Sequence, residues 1–409
     1  MRIVIVGAGV AGCVMARRLS RLDGVEVICL EWVARDDHSE AGTGLNVGPN
    51  AVKAVKAIDP ELAGLITASS YLWRNWRISL TDGTVLFDLP LENVADGPGW
   101  RIRWSELYRV LREASGDCVR YACEITDIGR DAADPRKTSI AWTEDGKTRR
   151  LDDIDLLIAA DGRYSAVRRA ISGEPEVRQT GVAIFRLLVP DSSGGLIDDY
   201  EQWFNGPNRL LSFKVPPGHI YVAGTFPIPQ DAPIAESSKT PDALRAAYAP
   251  PDAAAPSAQA GWLIDTVCEN AADTHWARMQ EHTLLYRASD CNVLYLGDAA
   301  HGMVPTLGQG ATQALEDAAN AAALITQRHG DGSRDVAGWL TDIEALRQKR
   351  MHFVMEFSLE ATDTMLEGAD PVEGTRHKNE APFQSSLKAL YRDVGLPLDE
   401  SMTSRRQTP

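Results

Sequence analysis

An α/β fold is predicted, with a parallel sheet at its start, an antiparallel sheet inserted midway and helices at the C-terminal end. Three observations carry this. Residues Arg2 to Val6 (RIVIV) are apolar and β-branched and stop at Gly7, the pattern of a strand buried on both faces. Residues Ala11 to Leu22 then put Val14, Met15 and Leu19 on one helical face with Arg17, Arg18 and Arg21 opposite, and Val25 to Leu30 (VEVICL) supplies a second strand. The chain therefore opens with a β-α-β unit whose glycines sit at the turn. From about Thr180 to Phe226 the runs GVAIFRLLVP, YEQWFN, RLLSFKVP and HIYVAGTFPIP, each closed by Pro, Gly or Asn, read as strands of an antiparallel sheet outside that unit.

The other elements follow in order. Ala41 to Asn50 (AGTGLNVGPN) reads as a loop and Ala51 to Ile66 as a helix. Trp73 to Leu91 is a hairpin turning at Thr81-Asp82-Gly83. Ser105 to Ala114 is a helix, strands continue to Trp142, and Ile154 to Ala160 is a buried strand ending at Asp161-Gly162. Gln230 to Gly261, rich in Ala, Pro and Ser, reads as a surface excursion with one short helix at Asp242 to Tyr248. Asn292 to Leu296 (NVLYL) is a strand running into Gly297-Asp298. Gly310 to Arg328 and Gly338 to Ala361 are helices, and the last dozen residues read as a frayed tail.

Of 409 residues, 44% are hydrophobic and 24% charged, which excludes fibrous and low-complexity classes. Lys and Arg number 42 against 57 Asp and Glu, and a net charge of -15 opposes binding to nucleic acid or to an anionic membrane. The opening apolar run is too short for a signal segment or a spanning helix. Six scattered cysteines in so long a chain read as reduced thiols of a cytoplasmic protein. Cys118 and Cys123 lack the Cys-x-x-Cys spacing and a second ligand pair, so no metal site is expected.

Gly7-Ala8-Gly9-Val10-Ala11-Gly12 fits a Rossmann-type dinucleotide fingerprint. Gly7 makes the tight turn, Gly9 lets a pyrophosphate approach the backbone beside Ala11, and Gly12 permits close helix-strand packing. The following helix presents its positive end to the phosphates, and Glu31 ends the second strand where a carboxylate accepts ribose hydroxyls. Such a fingerprint does not separate NAD from FAD. Further on, a carboxylate directly after a buried strand, at Asp298, can accept a ribityl hydroxyl. Gly308 and Gly310 admit a planar ring, toward which the next helix aims its N–H groups.

Asp161-Gly162-Arg163-Tyr164-Ser165-Ala166-Val167-Arg168 resembles the Asp-Gly segment of flavin-dependent aromatic hydroxylases. Gly297-Asp298-Ala299-Ala300-His301, followed by Pro305, Gly308, Gln309 and Gly310, resembles their Gly-Asp segment. With three motifs in order over nearly its whole length, the chain resembles a class A, single-component FAD-dependent aromatic monooxygenase of the para-hydroxybenzoate hydroxylase fold. The resemblance implies a discontinuous FAD-binding domain (residues 1–72, 97–175 and 285–409, with the C-terminal helices) and a substrate-binding sheet domain (73–96 and 176–284). It implies that NADH or NADPH reduces FAD, that O2 adds to give a C4a-hydroperoxide, and that an electron-rich ring attacks it. It gives Arg103 a contact with the flavin side chain, with Arg101 as the alternative, since Trp104 stands where the family's Arg often does. Asp161 and Arg168 take a joint structural and nicotinamide role.

For the substrate the candidates are Arg186, inside the apolar run AIFRLLVP, Tyr221, and His301 beside the flavin ring. Trp203, Phe204, Asn205 and Arg209 are candidates for an aromatic pocket, each weighed against core packing. The stretches AGTGLNVGPNAV, YEQWFN and GHIYVAGTFPIP resemble hydroxylases of hydroxylated pyridines, with a hydroxybenzoate-type phenol as the alternative ring. A halogenase is disfavoured because Trp73-Arg74-Asn75-Trp76-Arg77-Ile78 departs from that family's Trp-x-Trp-x-Ile-Pro. A prenyl reductase and a non-catalytic flavin module complete the alternatives. The oligomeric state stays open, a homodimer being one arrangement.

Overall fold

The structure is a computed structural model that describes residues 1–37, 43–251 and 254–395; the expected frayed tail lies outside the described residues. The opening unit is β1 (Arg2–Val6), α1 (Val10–Leu19) and β2 (Glu26–Leu30). The stretch read as a loop contains a strand instead, β3 (Gly44–Val47), whose backbone finds partners across a later strand. The single helix expected next is two, α2 (Pro49–Ile58) and α3 (Pro60–Ala68). Pro60 disfavours helical geometry at Asp59, and the Asp59 carboxylate caps the new helix by accepting from Leu62 N at 3.0 Å.

The chain continues through β4 (Tyr71–Trp73), β5 (Asn75–Leu80), β6 (Val85–Pro90), β7 (Gly99–Arg103), α4 (Trp104–Ser115), β8 (Val119–Arg120), β9 (Glu124–Arg130), β10 (Thr138–Glu144), β11 (Lys147–Ile154), β12 (Leu156–Ala159) and α5 (Ala166–Ser172). Four long strands follow, β13 (Val177–Pro190), β14 (Tyr200–Asn205), β15 (Asn208–Val215) and β16 (His219–Pro227). Then come α6 (Pro241–Tyr248), α7 (Ala258–Glu269), β17 (His275–His282), β18 (Val293–Tyr295), α8 (Gln309–Gly330), α9 (Val336–Glu360), α10 (Pro371–Arg376) and α11 (Ala381–Arg392).

Two sheets organise the molecule. The parallel one has the order β18-β12-β1-β2-β8, with Ile3 opposite Leu156 and Leu157 opposite Val293. The larger one, β17-β13-β16-β15-β14-β5-β6, is antiparallel except where β14 runs parallel to β5, with Tyr200 opposite Trp76. Strand β3 and strand β4 flank β7 in a small sheet between the two. The expected surface excursion, Gln230 to Gly261, is in part interior: Leu244 and Tyr248 of α6 and Ala260 of α7 pack with Phe185, Trp203 and Leu210 on the outer face of the large sheet, and Leu263, Ile264 and Val267 of α7 extend that packing beyond it. All six cysteines are free, and burial pushes Cys13 up to about 12 and Cys123 to about 11. Among the described residues no helix is long and apolar enough to cross a membrane.

Candidate active site

A cavity of about 490 Å3 opens at the C-terminal ends of β1, β12 and β18, where the parallel sheet meets the inner face of the large sheet. Its first wall is the glycine turn. Gly7 adopts φ +94°, and a Cβ there would lie 2.4 Å from Ala160 O; a Cβ on Gly12 would lie 1.9 Å from Gly7 O. Gly9 meets nothing nearer than Ala160 O at 3.8 Å, so its outer side is open, and Gly9, Val10 and Ala11 line the cavity. Gly7 and Gly12 therefore shape the turn from behind, while Gly9 and Ala11 face the space a ligand would take.

Glu31 sits under this turn. It is buried and accepts from Ala8 N at 2.6 Å and Val33 N at 3.2 Å, with an Arg112 guanidinium nitrogen at 3.7 Å. The structure brings it to the turn and not to the cavity wall. Ala160, Gly162 and Arg163 line the cavity beside it, but Asp161 does not: Oδ2 accepts from Val167 N at 3.2 Å, Oδ1 is buried with no hydrogen-bond partner, and burial raises its pKa. Arg168 turns away as well, donating to Ala299 O at 2.8 Å and to Thr283 O at 2.6 Å. It ties the Asp-Gly segment to the Gly-Asp segment.

The second wall runs from Gly297 and Asp298 through Pro305 and Gly308 to Gly310, Ala311 and Ala314 in the first turns of α8. Gly308, in the left-handed region at φ +64°, starts that helix; a Cβ there would strike Asn46, whose strand also lines the cavity. The 22-residue helix thus points its unpaired N–H groups at the cavity. Arg103 caps α4 with its Nε buried and unpartnered, and the ring pair Trp104 and Tyr108 lines the wall next to it. Arg101, the alternative, points elsewhere, donating to Leu72 O at 3.1 Å and lying 3.4 Å from an Asp199 oxygen.

The third wall is the large sheet. Arg186 and Ile184 on β13, Tyr200 on β14, Arg209 and Leu211 on β15, and Tyr221 and Ala223 on β16 all face inward. Burial holds the Tyr221 hydroxyl above its ordinary value, although the guanidinium groups of Arg186 and Arg209 act against the rise and Arg186 shares a hydrogen bond with it. Burial pushes Tyr200 up to about 12, its hydroxyl accepting from Gln202 at 2.8 Å. Gly44 lies against Tyr221, so close that a Cβ would come within 2.4 Å of its Cβ.

Three expectations need correction. Trp203, Phe204 and Asn205 do not line the cavity: strand alternation sends Trp203 to the outer face against α7, and the Asn205 amide binds Ala247 O at 2.9 Å. His301 is not beside the cavity. It is fully buried, and its Nε2 is 2.5 Å from Asp317 Oδ2. Burial raises the Asp317 pKa, but the charges of His301 and Arg347 outweigh it and hold the carboxylate down at about 2. The ring belongs to an internal network, with Arg347 Nε donating to Asp317 Oδ1 at 2.8 Å and the Tyr286 hydroxyl donating to the same oxygen at 2.8 Å. Strand β17, which the sequence reading left out, adds Ala277, Arg278, Met279 and Gln280 to the wall; its text, HWARMQEH, alternates too weakly to signal a strand.

This arrangement fits FAD. An open Gly9, a helix N-terminus and the Asp298 carboxylate line one cavity, and the buried, unpartnered Nε of Arg103 belongs to the residue next to Trp104 in its wall, a set with the right chemistry for phosphates, ribityl hydroxyls and a planar ring.

Comparison with known proteins agrees. Residues 262–349 match the FAD binding domain family. The chain is 30% identical over 330 residues to 2-heptyl-3-hydroxy-4(1H)-quinolone synthase of Pseudomonas aeruginosa, covering 78% of this chain and 79% of the relative. It is also 30% identical over 349 residues to 3-amino-4-hydroxybenzoate 2-monooxygenase of Streptomyces cremeus, covering 81% and 80%. Klebsiella pneumoniae HpxO, solved with FAD and uric acid, shares the fold at a TM-score of 0.77 and 24% identity over 97% of this chain and 98% of that one. The chain belongs to the class A, single-component FAD-dependent aromatic monooxygenases.

Proposed function

We propose that the chain uses NADH or NADPH and O2 to hydroxylate an electron-rich, hydroxylated aromatic or nitrogen-heteroaromatic ring. One observation carries this reading: a single cavity joins a wall of glycine turn and helix N-terminus to a wall of two arginines and two tyrosines on the sheet. The name of the quinolone synthase, a protein making a hydroxylated nitrogen ring, supports the heteroaromatic class; the aminohydroxybenzoate enzyme supports a phenol as the nearest alternative. We assign the FAD contacts to Gly9, Ala11, Arg103, Asp298, Pro305, Gly308 and Gly310, with Gly7 and Gly12 shaping the turn and Glu31 and Asp161 bracing the segments that carry them. Residues 73–96 and 176–284 would form the substrate domain.

Bound FAD supplies hydride acceptance and oxygen activation. This chain's residues do the rest. Asp298 accepts a ribityl hydroxyl and the α8 N-terminus favours negative charge on the ring edge nearest it. Arg186 holds the Tyr221 hydroxyl, so that its O–H can be donated to a substrate oxygen, and the two guanidinium groups favour the ring whose hydroxyl has lost its proton, the form richest in electrons. Apolar Ile184, Leu211, Ala223 and Met279 exclude water from that end. Free, buried thiols favour a reducing compartment, the cytoplasm.

The test is NADH and NADPH oxidation by the flavin-loaded protein against hydroxypyridines and hydroxybenzoates, with product analysis. Ring-dependent stimulation with a hydroxylated product supports the reading, and oxidation indifferent to every ring rejects it. Asp298→Ala is expected to be purified folded but depleted of flavin, read from the flavin-to-protein absorbance ratio; full retention removes Asp298 from the site. Arg186→Met should raise KM for acidic rings about 10- to 100-fold, as loss of a charged hydrogen bond of about 1.5–3 kcal/mol implies. An equal rise for neutral rings would assign Arg186 to packing.

A further inference from the structure

Beyond the main cavity, at its sheet end, two buried cations border one small void. Arg209 on β15 is 3% exposed and lines both the cavity and the void, and its Nε is buried with no hydrogen-bond partner. Lys378, between α10 and α11, is also 3% exposed; its Nζ donates to Gly374 O at 2.9 Å and carries two further N–H donors. The void is about 10 Å3, the room of one water or small ion, and Gln202, Thr306 and Thr364 complete its polar lining.

Among the described residues no carboxylate forms an ion pair with either cation. The acids that act on Lys378, Asp363 and Glu360, are both solvent-exposed and reach it only through space, while Arg209 is faced by the hydroxyls of Tyr200, Tyr221 and Tyr248. Burial, reinforced by the Arg209 charge, pushes the Lys378 ammonium down to about 8. Two like charges buried around one void without an ion-paired carboxylate are unfavourable, and an anion bound between them would favour both charged forms.

We propose that Arg209 and Lys378 together form a subsite for a small monoanion, either a free inorganic ion or the anionic substituent of the ring substrate. The subsite lies against the proposed substrate pocket, and its second source rests on that reading. Its existence does not, so the two are separable.

The probe is chloride, followed by the chloride NMR line width of the FAD-loaded protein. Excess broadening is expected to fall several-fold in Lys378→Met and to stay unchanged in Lys56→Met, a surface control. Parental broadening in Lys378→Met overturns the proposal. If that variant loses its flavin or its fold, the parent protein serves: raising the pH from about 7 to about 9.5 discharges Lys378 and should remove the same component, and a flat line width overturns the proposal equally. Adding benzoate then distinguishes the sources. Loss of the Lys378-dependent broadening shows that a ring carboxylate takes the subsite; persistence assigns it to a free inorganic anion.

Discussion

Gly12→Ala is expected to give a protein that is strongly destabilised and binds no FAD. The added Cβ would stand 1.9 Å from Gly7 O and 3.3 Å from the Ala160 Cβ, and the first of these is backbone. Gly7 cannot yield, because its own backbone is held at φ +94° with Gly7 N bonded to Leu30 O at 2.8 Å and Ala160 packed behind it. Overpacking of a core costs about 1–3 kcal/mol where neighbours can shift; here the expected loss is at the upper end of that range. Gly9→Ala is the contrast: its nearest neighbour is 3.8 Å away, so the fold should keep its melting temperature while the methyl projects into the cavity and weakens FAD binding. Thermal unfolding with and without added FAD separates the two. A Gly12→Ala protein of parental Tm that purifies yellow would refute the assignment of the turn.

Arg347→Met is the second large effect, with an expected loss of about 3–5 kcal/mol in urea unfolding, the range for breaking a buried ion pair from one side. The guanidinium pairs with Glu316, donates to Asp317 Oδ1 at 2.8 Å and to Gln313 Oε1 at 2.6 Å, and is itself fully buried. Arg350 still holds Glu316 and His301 still holds Asp317, so the network weakens without emptying. The pH dependence has a definite sign. Asp317 is held at about 2 against an ordinary value of 3.8, so its stabilisation is present above about 3.8 and lost as pH falls through about 2. Removing Arg347 removes one cause of the depression, and the acid limb of the stability curve should move to higher pH. A change under 1 kcal/mol at neutral pH would show that the surrounding polar groups carry the carboxylates alone. Because Asp317 Oδ2 also accepts from Gly297 N at 3.1 Å, the same variant should bind FAD more weakly through the loop that carries Asp298.

What could be read from the sequence was whatever is repeated locally. Strand β1 matches its run residue for residue, and β12, β18, α8 and α9 fall within two residues of expectation, because buried parallel strands and long helices carry their signal in continuous text. Strand β3 and strand β17 did not declare themselves. The first contains Gly44 because Tyr221 packs on its backbone, and the second is polar because it edges the large sheet; both are made strands by partners far away in the chain. Glycines at the cavity were legible for the same reason as β1. Tyr200 and Arg278 were not, since a strand's text does not say which face turns inward. His301 misled because adjacency in sequence to Asp298 is not adjacency in space: the one faces the cavity and the other turns back into the α8–α9 interface.

The strand pairing of the parallel sheet has a consequence for synthesis. Strand β1 is made well ahead of its partner on one side: its flank opposite β2 is closed by β12, about 150 positions later, and β12 is closed in turn by β18, near residue 293. Until β12 is made, β1 has one open apolar edge and the dinucleotide turn lacks Ala160 behind Gly7. Strands β13 to β16 of the large sheet (residues 177–227) are made before β18 seals the open edge of β12, so they can pair while the nucleotide half still waits for residues 293–295. Such late, long-range closure makes nascent chains slow to commit and leaves them exposed to edge-to-edge association while they wait.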